Sequence, residues 1–373
     1  MTPTLVEARS ICPKRMLHGP CGGVRDDGTC EVGPHITCPY PLILDQLPWR
    51  LAQDARLGHR VRPAPRVSGR LASKLAAGEF VILAELWPPA DADLRRIVAR
   101  YQALGPSVDA VNVADSPLAQ PFMSSLAACA AFKQAGLEAI MNLSCKDRSR
   151  IALQAELMGA GALGINAVLC ITGDHPTLGD HKAAPPVYDL DSFGLIRLAR
   201  QLRDDGQFDS GRAVAGRPSY LIGAAGSPFT RPVEVQAERA AAKIFAGADF
   251  IATQAVFDLD RFATFARQMT DFGALERGRL IAGVAVVTTP EQARWLNSNV
   301  PGANVSPAFM EMLARALPSE SRRAALRWNA EFVARLRQIE GVSGILLYAM
   351  EHDVESLGEL LAEVARTEAG AGR

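Results

Sequence analysis

The sequence predicts an α/β protein, a (β/α)8 barrel preceded by a small cysteine-rich N-terminal domain. Three observations carry this reading. Eight apolar strand-like runs alternate with eight helical regions over ~300 residues. No Gly-x-Gly-x-x-Gly follows the first strand, which disfavours an open dinucleotide-binding sheet. Four of the seven cysteines fall within the first 38 residues, in a segment too short to order itself by apolar burial.

In chain order, residues 12 to 40, CPKRMLHGPCGGVRDDGTCEVGPHITCPY, hold Cys12, Cys21, Cys30 and Cys38 with gaps of eight, eight and seven residues. Glycines and prolines between them supply turns. Four thiolates suit an iron–sulfur cluster or zinc, although this is not the paired CxxC spacing of a zinc ribbon. The alternative is four packed or free thiols. Residues 41 to 58 read as an amphipathic helix, with Leu42, Leu44, Leu47, Trp49 and Leu51 as its contacts. His59 to Ser68, with its prolines and arginines, reads as a linker, so the domains are expected over residues 1–62 and 63–373.

The first barrel strand, Phe80 to Ala84, delivers Glu85 into a Trp-Pro-Pro stop. Neither proline can donate to a ladder or continue a helix. Leu94, Ile97, Val98, Tyr101 and Leu104 then recur at helical spacing. The following strands are predicted at Asp109–Ala114, Glu138–Ser144, Ala167–Thr172, Ser219–Ala224, Asp249–Phe257, Arg279–Val287 and Gly344–Ala349. Helices separate them at Pro121–Gln134, Arg148–Ala162, Asp191–Arg203, Glu234–Ala246 and Asp260–Phe272, with several pieces before Glu340 and a last helix at Glu355–Arg366.

Forty basic and forty acidic residues leave no net charge, so neither nucleic acid nor an anionic membrane surface is signalled as a partner. No signal-peptide core and no run of ~18 apolar residues is present, and a cytoplasmic protein is expected. In a barrel of this kind the residues just past the strands share one face. That face would collect Glu85, Asp115, Lys146, Asp147, Arg148, Gly173, Asp174, His175, Gln254 and Tyr348. The set contains neither a Ser-His-Asp order nor an HExxH metal pair. A structural ion-pair network is the competing account of these charges.

Glu85 in AELWPP, then NLSCKDRSRIALQAELMGAGALGI, LCITGDHP and KIFAGADFIATQAVFD, in this order, resemble the methylenetetrahydrofolate reductase family over roughly Gly69 to Arg366. The head, CPKRMLHGPCGG with its later cysteines, is similar to the cysteine-rich domain fused to, or partnered with, a bacterial and archaeal branch of that family. The resemblance implies flavin-dependent reduction of 5,10-methylenetetrahydrofolate to 5-methyltetrahydrofolate, as in methionine biosynthesis. It implies Glu85 as general acid and Asp147 as the carboxylate close to flavin and pterin. Gln254, Gln292 and Tyr348 would bind substrate. Asp115, Arg148, Arg150, Gly173, Asp174, His175 and Lys243 would serve the cofactor, Lys243 at its phosphates. FAD is expected, with FMN as the alternative because the loop AAGSPFTRP lacks the Tyr and His some relatives use. Lys146 stands where many relatives have Arg. NAD(P)H or a reduced electron carrier would feed the flavin, the latter as an electron-transfer protein partner, and a homo-oligomer is expected. A folate-dependent methyltransferase barrel working with a corrinoid protein is the rival reading.

Overall fold

Eight parallel strands close into a barrel in the order β10-β3-β4-β5-β6-β7-β8-β9. They are β3 (Val81–Leu86), β4 (Ala110–Val113), β5 (Ala139–Ser144), β6 (Ala167–Ile171), β7 (Leu221–Gly226), β8 (Phe250–Ala255), β9 (Arg279–Val286) and β10 (Val342–Ala349). The computed structural model describes residues 2–48, 67–300, 302–315, 318–350 and 353–371. Before the barrel come α1 (Leu5–Ile11) and an antiparallel ribbon of β1 (Thr29–Cys30) and β2 (Gly33–Thr37). The helices around the barrel include α4 (Ser125–Gln134), α5 (Arg150–Ala162), α6 (Ser192–Arg200), α7 (Gln236–Ala246), α8 (Leu259–Asp271) and α11 (Pro318–Arg337), with α2 (Arg70–Ala77) ahead of β3, α3 (Arg95–Ala103) after it, α9 (Pro290–Asn299) and α10 (Pro307–Arg315) after β9, and α12 (Val354–Ala371) last.

Alternation along each strand divides the side chains between two cores. Val81, Leu83, Ala110, Ile140, Leu169, Leu221, Phe250, Ile281 and Leu346 fill the barrel, together with Leu71 and Leu75 of α2. Residues one step out of phase, such as Val111, Met141, Val168, Ile251 and Val284, pack under the surrounding helices. Helix α2 closes the floor. Lys74 Nζ bonds both oxygens of Asp109 at 3.0 and 3.1 Å, Leu71 N donates to Glu138 Oε2 at 3.0 Å, and Arg279 Nε donates to Leu75 O at 3.1 Å.

The sequence expectation for the first strand is corrected at its end. β3 runs on to Leu86, and Glu85 stands opposite Asn112 in the ladder rather than past it. The prolines stop the strand only at position 88, so two more residues pair. The helix expected over 41–58 begins instead as two 3-10 turns, Tyr40–Leu42 and Leu44–Gln46, with Leu47 buried and Leu42 exposed. Pro39, Pro41 and Pro48 fix the backbone there and withhold the donors that an α-helix would need. Trp49, Leu51 and the boundary expected between residues 62 and 63 lie outside the described residues. Ala8, Met16, Val24, Tyr40, Ile43 and Leu47 of the head form one core with Phe193 and Val235 of the barrel.

Candidate functional site at the barrel mouth

Glu85 follows Val81 and Leu83 on the inward face of β3, so its carboxylate enters the barrel at the C-terminal end. Its two oxygens are held separately: Trp87 Nε1 donates to Oε1 at 2.9 Å and Asn112 Nδ2 donates to Oε2 at 3.2 Å. Tyr101 OH fixes the backbone by donating to Glu85 O at 2.5 Å. Burial pushes the carboxyl from 4.5 up to about 7, against the pull of the two donors toward the ionised form. No cation pairs with it among the described residues. Such a group is half protonated near neutral pH, the condition a general acid needs.

The layer above the apolar interior is polar. Asn112 follows Ala110, Asn142 follows Ile140, and Tyr348 follows Leu346, each one step further along the inward face. Asn142 Oδ1 and Ser144 Oγ, both on β5, are buried without a hydrogen-bond partner. A bulge in β8 between Ala252 and Ala255 breaks the ladder at Gln254. Thr253 Oγ1 accepts from Gly283 N at 3.0 Å, and Tyr348 OH donates to Thr253 O at 2.7 Å. Bulges of this kind re-aim a side chain at a rim. Tyr348 thus supports the strand that carries Gln254, and its phenol is held well above its usual range by burial and by the Glu85 charge.

The remaining expected residues divide between the mouth and the framework. Asp174 reaches the mouth beside Gly173 and accepts from Leu118 N at 2.8 Å, and burial raises its carboxyl. Asp147 is ion-paired with Lys146, and its side chain is 50% exposed. Arg148 Nη1 bonds Asp115 Oδ2 at 2.7 Å, and the same oxygen accepts from Ser144 N at 2.9 Å, so this pair ties β4 to β5. Arg150 is engaged by Asp189 at 2.9 Å and Asp209 at 2.8 Å. His175 caps a 3-10 turn by accepting from Thr177 N, and its ring stacks on Tyr188. Gln292 Oε1 accepts from Thr288 N at 2.8 Å while Thr289 caps α9, a capping arrangement already written in T-P-E-Q. Lys243 is buried and donates to Ala225 O at 2.6 Å, and burial drives its ammonium well below its usual range. It faces Phe193 beneath the head rather than the open mouth.

The head is docked onto this same end of the barrel. Leu17 N and His18 N donate to Asp191 Oδ2 at 3.0 and 2.8 Å, and Asp191 also caps α6 through Gly194 N. His18 Nδ1 donates to the same carboxylate at 3.0 Å, and the imidazole stacks on Phe193 at 4.9 Å. Cys12, Cys21, Cys30 and Cys38 line one small pocket with Val24, Ile36 and Tyr40. Burial raises the thiols of Cys21 and Cys38, to about 11 and about 12. Gly23 N donates to Cys21 Sγ at 3.4 Å. Among the described residues, however, no group of three or more His, Cys, Asp or Glu side chains is disposed to hold a metal ion.

Sequence reasoning missed Asn112, Asn142 and Trp87 because amides and an indole beside prolines carry no spacing signature. The inward phase of Ala110-x-Asn112 and Ile140-x-Asn142 was the available signal. A separate pocket of about 240 Å³, walled by Phe257, Phe309 and Trp328 and by the charged Asp260, Glu331 and Arg335, lies beside α8 and α11 and includes none of the mouth residues. No helix among the described residues is long and apolar enough to cross a membrane.

Comparison with known proteins identifies the family and the fold. A family model described as methylenetetrahydrofolate reductase matches residues 70–363, and one described as methylene-tetrahydrofolate reductase C terminal matches residues 4–65. Among solved structures, an uncharacterized protein from Clostridium thermocellum that binds two copies of 5-methyl-5,6,7,8-tetrahydrofolic acid superposes with a TM-score of 0.56 at 13% identity, covering 80% of this chain and 99% of that one. A riboflavin lyase with modified FMN and riboflavin gives a TM-score of 0.50 at 12% identity, covering 79% of this chain and 92% of its own. At such identities these two likenesses show a shared barrel. The family model spans most of the sequence, and the chain belongs to the methylenetetrahydrofolate reductase family.

Proposed function

We propose that the barrel reduces 5,10-methylenetetrahydrofolate to 5-methyltetrahydrofolate, with Glu85 as the general acid. The observation that carries this is the isolated, partly desolvated carboxyl of Glu85, pushed up to about 7 in the mouth of a barrel of this family. Opening the one-carbon bridge of the substrate requires a proton on the departing nitrogen. A carboxyl with an ordinary value of 4.5 is almost wholly ionised at neutral pH, whereas the Glu85 carboxyl retains the proton in about half of the molecules. Trp87 and Asn112 hold the group in one orientation, so the proton is presented from a fixed point. Gln254 offers an amide that can donate and accept at once to the pterin edge.

A reduced flavin, FAD or FMN, supplies the hydride when bound. The residues present fit such a ring. Asn142 Oδ1 and Ser144 Oγ are buried polar atoms still open to partners, and Gly173, with φ +91, turns the chain beside them. Asp174 adjoins that turn, and we assign to it, rather than to the half-exposed Asp147, the carboxylate nearest the cofactor. Four thiols line one pocket of the head, and although they are not disposed for a metal in their present positions, they are the soft donors that a metal or an iron–sulfur cluster there would use. The Gly23 N–H at Cys21 favours the thiolate, the form that ligates. Binding would draw the sulfurs inward from their present positions and stabilise the head.

The test is anaerobic purification followed by an absorption spectrum, metal analysis and turnover with 5,10-methylenetetrahydrofolate. A yellow protein whose flavin band bleaches on reduction and recovers on adding the substrate is expected. A colourless protein that transfers a methyl group to a corrinoid partner would overturn the reading.

A further inference from the structure

Two residues of the head reach into the barrel mouth. Lys14 is buried, ion-paired with Glu31 of the head, and donates to Gly173 O at the end of β6 at 2.8 Å. Gly22 presses on the ends of β7 and β8. A Cβ added there would lie 2.7 Å from Ser227 Oγ and 3.6 Å from Gln254 Nε2. Ser227 is itself buried, and its backbone is held by Thr230 Oγ1, which donates to Ser227 O at 3.2 Å. In the closed order of strands, β7 stands directly across the barrel from β3, which carries Glu85. A ring bound between Glu85 and Gln254 is therefore bounded on its far side by the backbone of the head.

We infer that the loop from Gly19 to Gly23 is a wall of the folate pocket, and that the missing side chain of Gly22 sets the width of that pocket. This rests on the folate reading above and adds a residue outside the barrel to the site. The physical reason for glycine is close approach to Ser227, whose hydroxyl a Cβ would meet at 2.7 Å. A methyl added at Gly22 would also reach ordinary van der Waals contact with the Gln254 amide, 3.6 Å from Nε2, so the bare backbone of the loop lies beside that amide. Lys14 acts as the second anchor, holding the loop down from β6.

The test uses the full-length, flavin-loaded protein and titrates 5-methyltetrahydrofolate to obtain a dissociation constant. Gly22→Ala is expected to weaken binding roughly 5- to 100-fold, the range of a methyl forced into a filled space. The double variant Gly22→Ala/Ser227→Ala should regain most of the loss, because the hydroxyl met by the new methyl is gone. Lys14→Met, which introduces no clash, should weaken binding in the same sense, and it carries the test if the glycine variants do not fold. Unchanged or tighter binding in Gly22→Ala overturns the inference, tighter binding because the loop would then be an obstruction. Failure of Ser227→Ala to restore binding overturns it too. If the unaltered protein binds no reduced folate, the folate reading itself falls and takes this inference with it.

Discussion

Replacing Glu85 by glutamine separates the chemical from the structural consequences of one buried carboxyl. The folded-state value of about 7 lies above the ordinary 4.5, so the unfolded chain loses its proton first as pH rises. Stability contributed by the protonated form is complete below about 4.5 and drains away up to about 7, after which it is flat. A displacement of this size corresponds to about 3 kcal/mol. Glutamine cannot ionise, and Asn112 can turn its amide so that its oxygen accepts from the new N–H while Trp87 still donates. The variant should therefore match the parent in urea denaturation at pH 4 and exceed it by up to about 3 kcal/mol at pH 8. Reduction of methylenetetrahydrofolate should fall by roughly 10²- to 10⁴-fold, the usual worth of a general acid. The alkaline limb of the parent's pH–rate profile, near 7, should disappear. Equal stability differences at both pH values would show that Glu85 is not a desolvated acid. Retained turnover would remove it from the chemistry.

Three further outcomes follow from the same geometry. Asn112→Ala deletes a donor that favours the ionised carboxyl of Glu85, so the alkaline limb should move up by about one pH unit, and an unmoved limb would contradict the bond. Gln254→Leu should raise the KM for the folate roughly 10- to 100-fold with flavin content retained, and steady-state kinetics with a flavin spectrum would read both. Asp115→Ala strands the Arg148 guanidinium and Ser144 N together, and should cost about 3–5 kcal/mol in urea denaturation. A loss under ~1 kcal/mol would place that pair among the weak surface bridges.

The barrel was legible because the strands are short, largely apolar runs that alternate with helical spacing. Patterns of local period survive without any knowledge of distant contacts. Strand ends were less so: Glu85 and Leu86 pair because β4 supplies a partner, a fact held in another part of the chain. Gln292 and His175 were read as ligand contacts, yet each satisfies the N–H groups of its own turn, and polar residues beside a helix start serve both purposes. The bulge that aims Gln254 depends on Thr253 and on Tyr348 from another strand, so no spacing along β8 announces it. Least legible was the docking of the head. The bond from Lys14 to Gly173 and the bonds from residues 17 and 18 to Asp191 span more than 150 positions and rest on turn-rich sequence with no periodicity.

Helix α2 gives the barrel a sealed floor, with Leu71 and Leu75 inserted from below and Asp109, Glu138 and Arg279 clamping its ends. A vessel closed at one end has a single door. Water driven out by an entering ring must leave past that ring, and product must retrace the path by which substrate came. The rim at the top thus governs both admission and exit, and any motion of the head across it acts on both directions of traffic at once.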